Sequence, residues 1–141
     1  MAGSSDISSA LGSVSFFAGL NQKQLKMVAE SGKEISYKSG DTIVEEGTMG
    51  VGFYMVLDGK VEVRKGEKVL ATLSKGQFFG EMSLIDEQPR SADVVALQPT
   101  RCFTISTWVF SSLVRSHPEL AMPMLKELAK RLRNAQSSPT S

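Results

Sequence analysis

Between Gly76 and Ala92 the chain reads Gly-Gln-Phe-Phe-Gly-Glu-Met-Ser-Leu-Ile-Asp-Glu-Gln-Pro-Arg-Ser-Ala, and the residue types crowded there could recognise a charged small molecule. Gly80 has no Cβ and permits close backbone approach. Glu81-Met82-Ser83-Leu84-Ile85 can form a single helical turn, whose free amides would face back toward Gly80 and favour an anion. Pro89 then turns the chain, and Arg90 opens the next strand region. A guanidinium opposite those amides would clamp a phosphate from its other side. Glu81 is the unusual member, an acid beside an anion site. It makes sense as an acceptor for a sugar hydroxyl, so the set selects a sugar phosphate over bare phosphate. The same spacing also fits a surface loop closed by an internal Glu81–Arg90 ion pair, and spacing alone leaves both readings open.

Other chemistries are excluded by what the chain lacks. Its 141 residues include 16 Lys plus Arg and 15 Asp plus Glu, a net charge of +1. That balance argues against a protein whose main work is gripping nucleic acid phosphates. The single histidine, His117, and single cysteine, Cys102, cannot build a multi-histidine metal centre or an internal disulfide. A metal enzyme on a β-barrel needs several converging ligands, so no enzyme, catalytic residue, metal or cofactor is expected. His117 reads as a surface or helix-capping residue and Cys102 as strand core. No apolar run is long enough to span a membrane. The first residues carry neither a basic region nor a long apolar stretch, so no signal peptide is expected and a reducing, cytoplasmic compartment is.

The surrounding pattern predicts how the segment is held. Residues 1–35 read as helical, 36–106 as strands and 107–135 as helical again, within a single domain over 1–135. The polar residues 136–141 read as a disordered tail. A short helix is expected over Ile7 to Val14. A second follows Asn21, an N-cap type, with Leu25, Val28 and Ala29 on its buried face and Gly32 as its stop. In the middle zone, Asp58-Gly59 between Phe53–Leu57 and Lys60–Arg64 signals a hairpin. Val61 and Val63 share one face, as do Val69, Ala71 and Leu73. Two further strands are expected near Ala92–Leu97 and Arg101–Ser106. Thr107 is the expected N-cap of the next helix, on which Trp108 should anchor the packing against the strands. Pro118 suits the first turn of the last helix. There Leu120, Met124, Leu125, Leu128 and Leu132 form an apolar stripe, and Lys126, Lys130, Arg131 and Arg133 suit the dipole at its end.

Phe79-Gly80-Glu81-Met82-Ser83-Leu84 with Pro89-Arg90-Ser91-Ala92 closely resembles the phosphate-binding cassette of cyclic-nucleotide-binding domains. That family includes the catabolite activator protein, the regulatory subunits of protein kinase A and cyclic-nucleotide-gated channels. Phe16-Phe17-Ala18-Gly19-Leu20, Gly40-Asp41 through Gly47, Tyr54 through Gly59, and His117-Pro118-Glu119-Leu120 are similar to other parts of it, so the likeness covers about residues 14–134. It implies a mainly β fold with flanking α-helices: an eight-stranded jelly-roll (double-stranded β-helix) barrel with N-terminal helices and a C-terminal helix pair. It also implies roles. Glu81 accepts from the ribose 2′-hydroxyl and Arg90 pairs with the cyclic phosphate. The amides of Gly80, Met82, Ser83 and Ala92 lie near phosphate or ribose. Val63, Ala71, Leu73 and Phe79 line the purine pocket. The final helix closes over the base, with Leu132 the expected contact among Arg131, Leu132 and Arg133.

Ser91 stands where members that prefer cGMP tend to carry Thr, so the expected ligand is cAMP, with cGMP as the alternative. Gly50-Val51-Gly52 departs from the acidic or Ser residue that many members carry there. The implied protein is a cAMP-sensing regulatory module that signals by moving its C-terminal helices. Its effector is unknown and a homodimer is one arrangement open to it. The alternative is a fragment of a catabolite-activator-type transcription regulator without its DNA-binding domain.

Overall fold

The structure, a computed structural model, describes residues 4–48, 52–86 and 89–136. It divides into two compact units, one of residues 1–30 and 112–141 and one of residues 31–111.

The first unit is helical. Helix α1 (Ser4–Leu11) begins and ends earlier than the apolar pattern suggests. Past Leu11 the chain tightens, with the Gly12 amide on the Ser8 carbonyl and the Val14 amide on the Leu11 carbonyl. Helix α2 (Gln22–Ser31) starts where Asn21 places it and stops just before Gly32. The Asn21 side-chain oxygen accepts from the Gln24 amide at 2.9 Å, and the Asn21 amide donates to the Gln24 side chain at 3.0 Å. This reciprocal capping satisfies two otherwise orphaned donors. Leu25, Val28 and Ala29 are buried as the spacing predicts. The chain later turns at Pro118–Leu120 and enters α5 (Ala121–Gln136), so Gln136 is still helical. The remaining predicted tail, 137–141, lies outside the described residues.

The stripe on α5 is only partly buried. Leu120 and Met124 are enclosed, whereas Leu125 and Leu132 are exposed. Leu125 sits about 100° round the helix from Met124, beyond the enclosed face. Arg131 donates to the Ser15 hydroxyl within this unit. His117 places its Nδ1 3.7 Å from Glu119 Oε2.

The second unit is a pair of antiparallel sheets. Its strands are β1 (Lys33–Tyr37), β2 (Thr42–Val44), β3 (Gly52–Asp58), β4 (Lys60–Lys65), β5 (Lys68–Ser74), β6 (Phe78–Phe79), β7 (Asp93–Ala96) and β8 (Thr100–Ser106). They form two four-stranded sheets, ordered β1-β8-β3-β6 and β2-β7-β4-β5. The expected eight-stranded jelly-roll topology is therefore present, but not as a closed barrel: each sheet ends in its own edge strands. The Asp58-Gly59 signal gives the β3–β4 hairpin, with Gly59 at φ +102°. Tyr54, Val56, Val61, Val94 and Cys102 make a core cluster. Burial pushes the Cys102 thiol up to about 11, the behaviour of a packed core cysteine.

After β8 the chain enters α4 (Thr107–Ser116). The cap is Ser106, whose hydroxyl accepts from the Val109 amide at 3.1 Å, and not Thr107. Trp108 is 84% exposed and is not the expected anchor; the buried residue of this helix is Phe110. Two residues apart on a helix, the two side chains point to nearly opposite sides.

Candidate functional site

Segments 76–86 and 89–92 form what their residue types allow. After β6, Gly80 turns at φ +82°, and the chain closes into a short helix α3 (Ser83–Asp86). The Ser83 amide donates to the Gly80 carbonyl at 3.1 Å, so it closes this turn, and the Leu84 amide donates to the Glu81 carbonyl at 3.2 Å. Thr107, at the start of α4, donates its hydroxyl to the Ser83 carbonyl at 2.6 Å. That bond ties the first residue of α3 to the first residue of α4.

Arg90 is held from its backbone and from its side chain. Its amide donates to the Thr48 carbonyl at 2.8 Å, and its carbonyl accepts from the Gly47 amide at 2.9 Å. The same loop is fastened by Asp93, whose carboxylate accepts from the Glu46 amide at 2.6 Å. One terminal nitrogen of Arg90 donates to the Gly52 carbonyl. A Cβ on Gly80 would stand 2.5 Å from Arg90 Nη1 and 2.6 Å from the Gly52 carbonyl oxygen. Glycine at position 80 is thus required twice, by the positive φ and by the Gly52 backbone carbonyl packed against it. Burial lowers the Arg90 pKa from its ordinary value, with Tyr54 acting weakly in the opposite sense. The Arg90 Nε is buried and has no hydrogen-bond partner. A desolvated cation with an unused donor is costly unless an anion supplies the missing acceptor.

A cavity of about 280 Å³ lies here. Segment 80–86 contributes Gly80, Glu81, Met82, Ser83 and Asp86. Segment 89–92 contributes Pro89, Arg90, Ser91 and Ala92, and the strands contribute Val44, Val63, Phe79 and Val94. The six residues expected at the phosphate and ribose, together with Ser91, therefore line one cavity. Of the predicted base-pocket residues, Val63 and Phe79 line it too. Ala71 and Leu73 do not: Ala71 is exposed on edge strand β5, and Leu73 packs against the core cluster. Leu132 belongs to the helical unit and is 60% exposed.

The sequence reading missed Val44 and Val94. They meet Val63 because β7 lies between β2 and β4, with Val44 opposite Val94 and Val94 opposite Val63. Ala71 is next in that row, opposite Val63 on β5. Alternation within each strand marks these residues as facing inward or outward, but strand order alone makes them neighbours. Of the unusual stretch Gly50-Val51-Gly52, Gly50 and Val51 lie outside the described residues, while Gly52 supplies the carbonyl that Arg90 holds. Among the described residues, no group of three or more His, Cys, Asp or Glu could hold a metal, and no helix is long and apolar enough to cross a membrane.

A family model described as "Cyclic nucleotide-binding domain" matches residues 34–117. A cGMP-dependent protein kinase of Plasmodium berghei is 35% identical over 118 residues, covering 83% of this chain and 13% of that protein. The cyclic AMP receptor protein of Thermus thermophilus is 34% identical over 124 residues, covering 84% of this chain and 57% of that one. The chain thus spans less than two thirds of either relative. In structure it is similar to the N-terminal domain of a transcriptional regulator from Streptomyces coelicolor. The TM-score is 0.86 and the identity 28%, with 92% of this chain and 96% of the other covered.

Proposed function

Because this chain belongs to the cyclic nucleotide-binding domain family, we propose that the cavity on residues 80–92 takes cAMP, and that the domain is a regulatory module with no catalysis of its own. One observation carries this reading: the half-buried Arg90 lines the cavity, and its guanidinium holds a buried Nε donor without a hydrogen-bond partner. A cyclic phosphodiester, singly charged and rich in acceptors, is what such a group lacks. Glu81 accepts from the ribose 2′-hydroxyl, with the amides of Gly80, Met82 and Ala92 close to the phosphate. The purine lies along the apolar row of Val44, Val94 and Val63, with Ala71 at its open end. Ser91 offers its hydroxyl to the base without the methyl of threonine, which favours adenine over guanine. The relatives named for cAMP and for cGMP resemble this chain about equally, so the choice of cAMP rests on Ser91.

Signalling requires two states that the ligand stabilises unequally. The Thr107–Ser83 bond links the cassette helix to the start of the C-terminal helices. Ligand drawn onto Arg90 shifts α3, and with it Thr107. The segment Thr107 to Asn134 is then the moving output, with Leu132 the residue that caps the base. The effector is a separate protein, a second copy or a further domain, and the setting is cytoplasmic. A second reading, a sensor module within a transcription regulator, is favoured by the likeness to the Streptomyces coelicolor domain.

The test is calorimetric titration of cAMP and cGMP against refolded chain, free of carried-over ligand. Saturable binding with cAMP tighter than cGMP is expected. No heat from either nucleotide would end the proposal, and tighter cGMP would overturn the role given to Ser91.

A further inference from the structure

Arg90 emerges from an irregular segment, yet a phosphate fork works only if its plane is fixed. The backbone bonds to Gly47 and Thr48 hold its Cα, and the Gly52 carbonyl holds one terminal nitrogen. Neither fixes the face of the guanidinium. What does is an aromatic ring from the neighbouring sheet. The Arg90 guanidinium carbon lies 6.0 Å from the centre of the Tyr54 ring, within the range of a cation–π contact. That ring is itself immobilised: it stacks on Phe79 at 4.9 Å with an interplanar angle of 8° and is almost fully buried. Its strand partner across β3–β6 is the same Phe79, the residue before Gly80.

We infer that Tyr54 is the positioning residue of the phosphate site: its ring, buried and stacked on Phe79, sets the plane of the Arg90 guanidinium for the anion. The inference rests on the cyclic-nucleotide reading of the cavity. Tyr54 itself touches no ligand and acts only through Arg90, so its effect must vanish when Arg90 is gone.

The experiment is a double-mutant cycle on cAMP affinity, measured by calorimetry, with melting temperature as the folding control. Tyr54→Phe keeps the ring and should bind as the wild type does. Tyr54→Leu should bind about tenfold more weakly, the scale of a partly desolvated cation–π contact. In an Arg90→Ala background, Tyr54→Leu should cause no further loss. If Tyr54→Leu does not fold, phenylalanines of increasing fluorination at position 54 keep the packing and drain the ring face of charge, and affinity should fall stepwise. Wild-type chain that binds neither cAMP nor cGMP removes the reading of the site and this inference with it. If binding depends on Arg90 but the Leu or fluorinated variants lose nothing, only the positioning role falls. The same holds if they lose equally in both backgrounds.

Discussion

Two parts of the cavity are assembled in opposite ways. Gly80, Glu81, Ser83, Arg90 and Ala92 come from one short stretch of the sequence, which includes α3. Val44, Val63 and Val94 come from three strands and meet only because β7 lies between β2 and β4. The first part is polar and locally encoded, and its geometry depends on a positive φ and close backbone contacts. The second is apolar, is encoded by strand order, and needs only the right faces to coincide. A polar site demands particular atoms at particular distances, whereas a greasy wall tolerates any side chain of suitable size. Substitutions should therefore be severe and ligand-selective in the first part, mild and indiscriminate in the second.

The largest effect is expected at Arg90. Arg90→Ala should cost about 2–5 kcal/mol in cAMP binding, because the phosphate charge is left unpaired. The fold should survive, since the emptied site can hydrate. An unchanged dissociation constant would break the comparison at its strongest point. Glu81→Ala should follow, at about 1.5–3 kcal/mol, the scale of a charged hydrogen bond. It should matter much less for 2′-deoxy-cAMP, and equal losses for both ligands would show that Glu81 holds the loop and not the ribose. Ending the chain after Ala129 removes Leu132 and should weaken cAMP by about 1–3 kcal/mol, one buried leucine's worth. Amide exchange over residues 128–134 of the full chain should slow when cAMP binds; unchanged exchange would make this helix a static brace or a dimer seam. Val63→Ala should cost about 1.5 kcal/mol, for two methyl groups. The loss should be the same for cAMP and cGMP, and selectivity between them would break the comparison from the apolar side.

A last effect, on stability and not on binding, concerns the core behind the wall. Burial raises the Cys102 pKa from 9.0 to about 11. The unfolded chain ionises first, so stability held below pH 9 should decline as pH rises toward 11. Denaturant melts of wild type and Cys102→Ala, compared across that window, isolate the contribution. Parallel curves would mean the thiol is less enclosed than its packing indicates.

What the sequence made legible follows the same division. The Asn21–Gln24 cap, the Asp58-Gly59 hairpin and the cassette from Gly80 to Ala92 are local, so neighbouring residue types specify them. Val44 and Val94 were invisible because register between distant strands is not written in either strand. Ala71 was placed in the right row, opposite Val63, but sheet order puts that row's end at the edge. Trp108 misled because size suggests burial, while helix phase assigns that place to Phe110. Tyr54 carried no motif; only its stacking on Phe79 and its approach to Arg90 distinguish it from other core aromatics.

The edge strand β5 bears on how the protein behaves in concentrated solution. It is exposed along most of its length, with Val69 and Leu70 each about half open to water. A straight apolar strand in that position would be a template for pairing with other chains. Its pairing with β4 shifts register between Val63 and Arg64, so Val63 faces Ala71 and Arg64 faces Val69, with Leu70 left over between them. A bulge of this kind bends the strand and interrupts the row of free amides and carbonyls on its outer side. Straightening it, for example by deleting Leu70, would restore an even ladder and offer neighbouring molecules a continuous edge to add to. The irregularity thus acts as a guard against self-assembly, placed where the sheet is least covered.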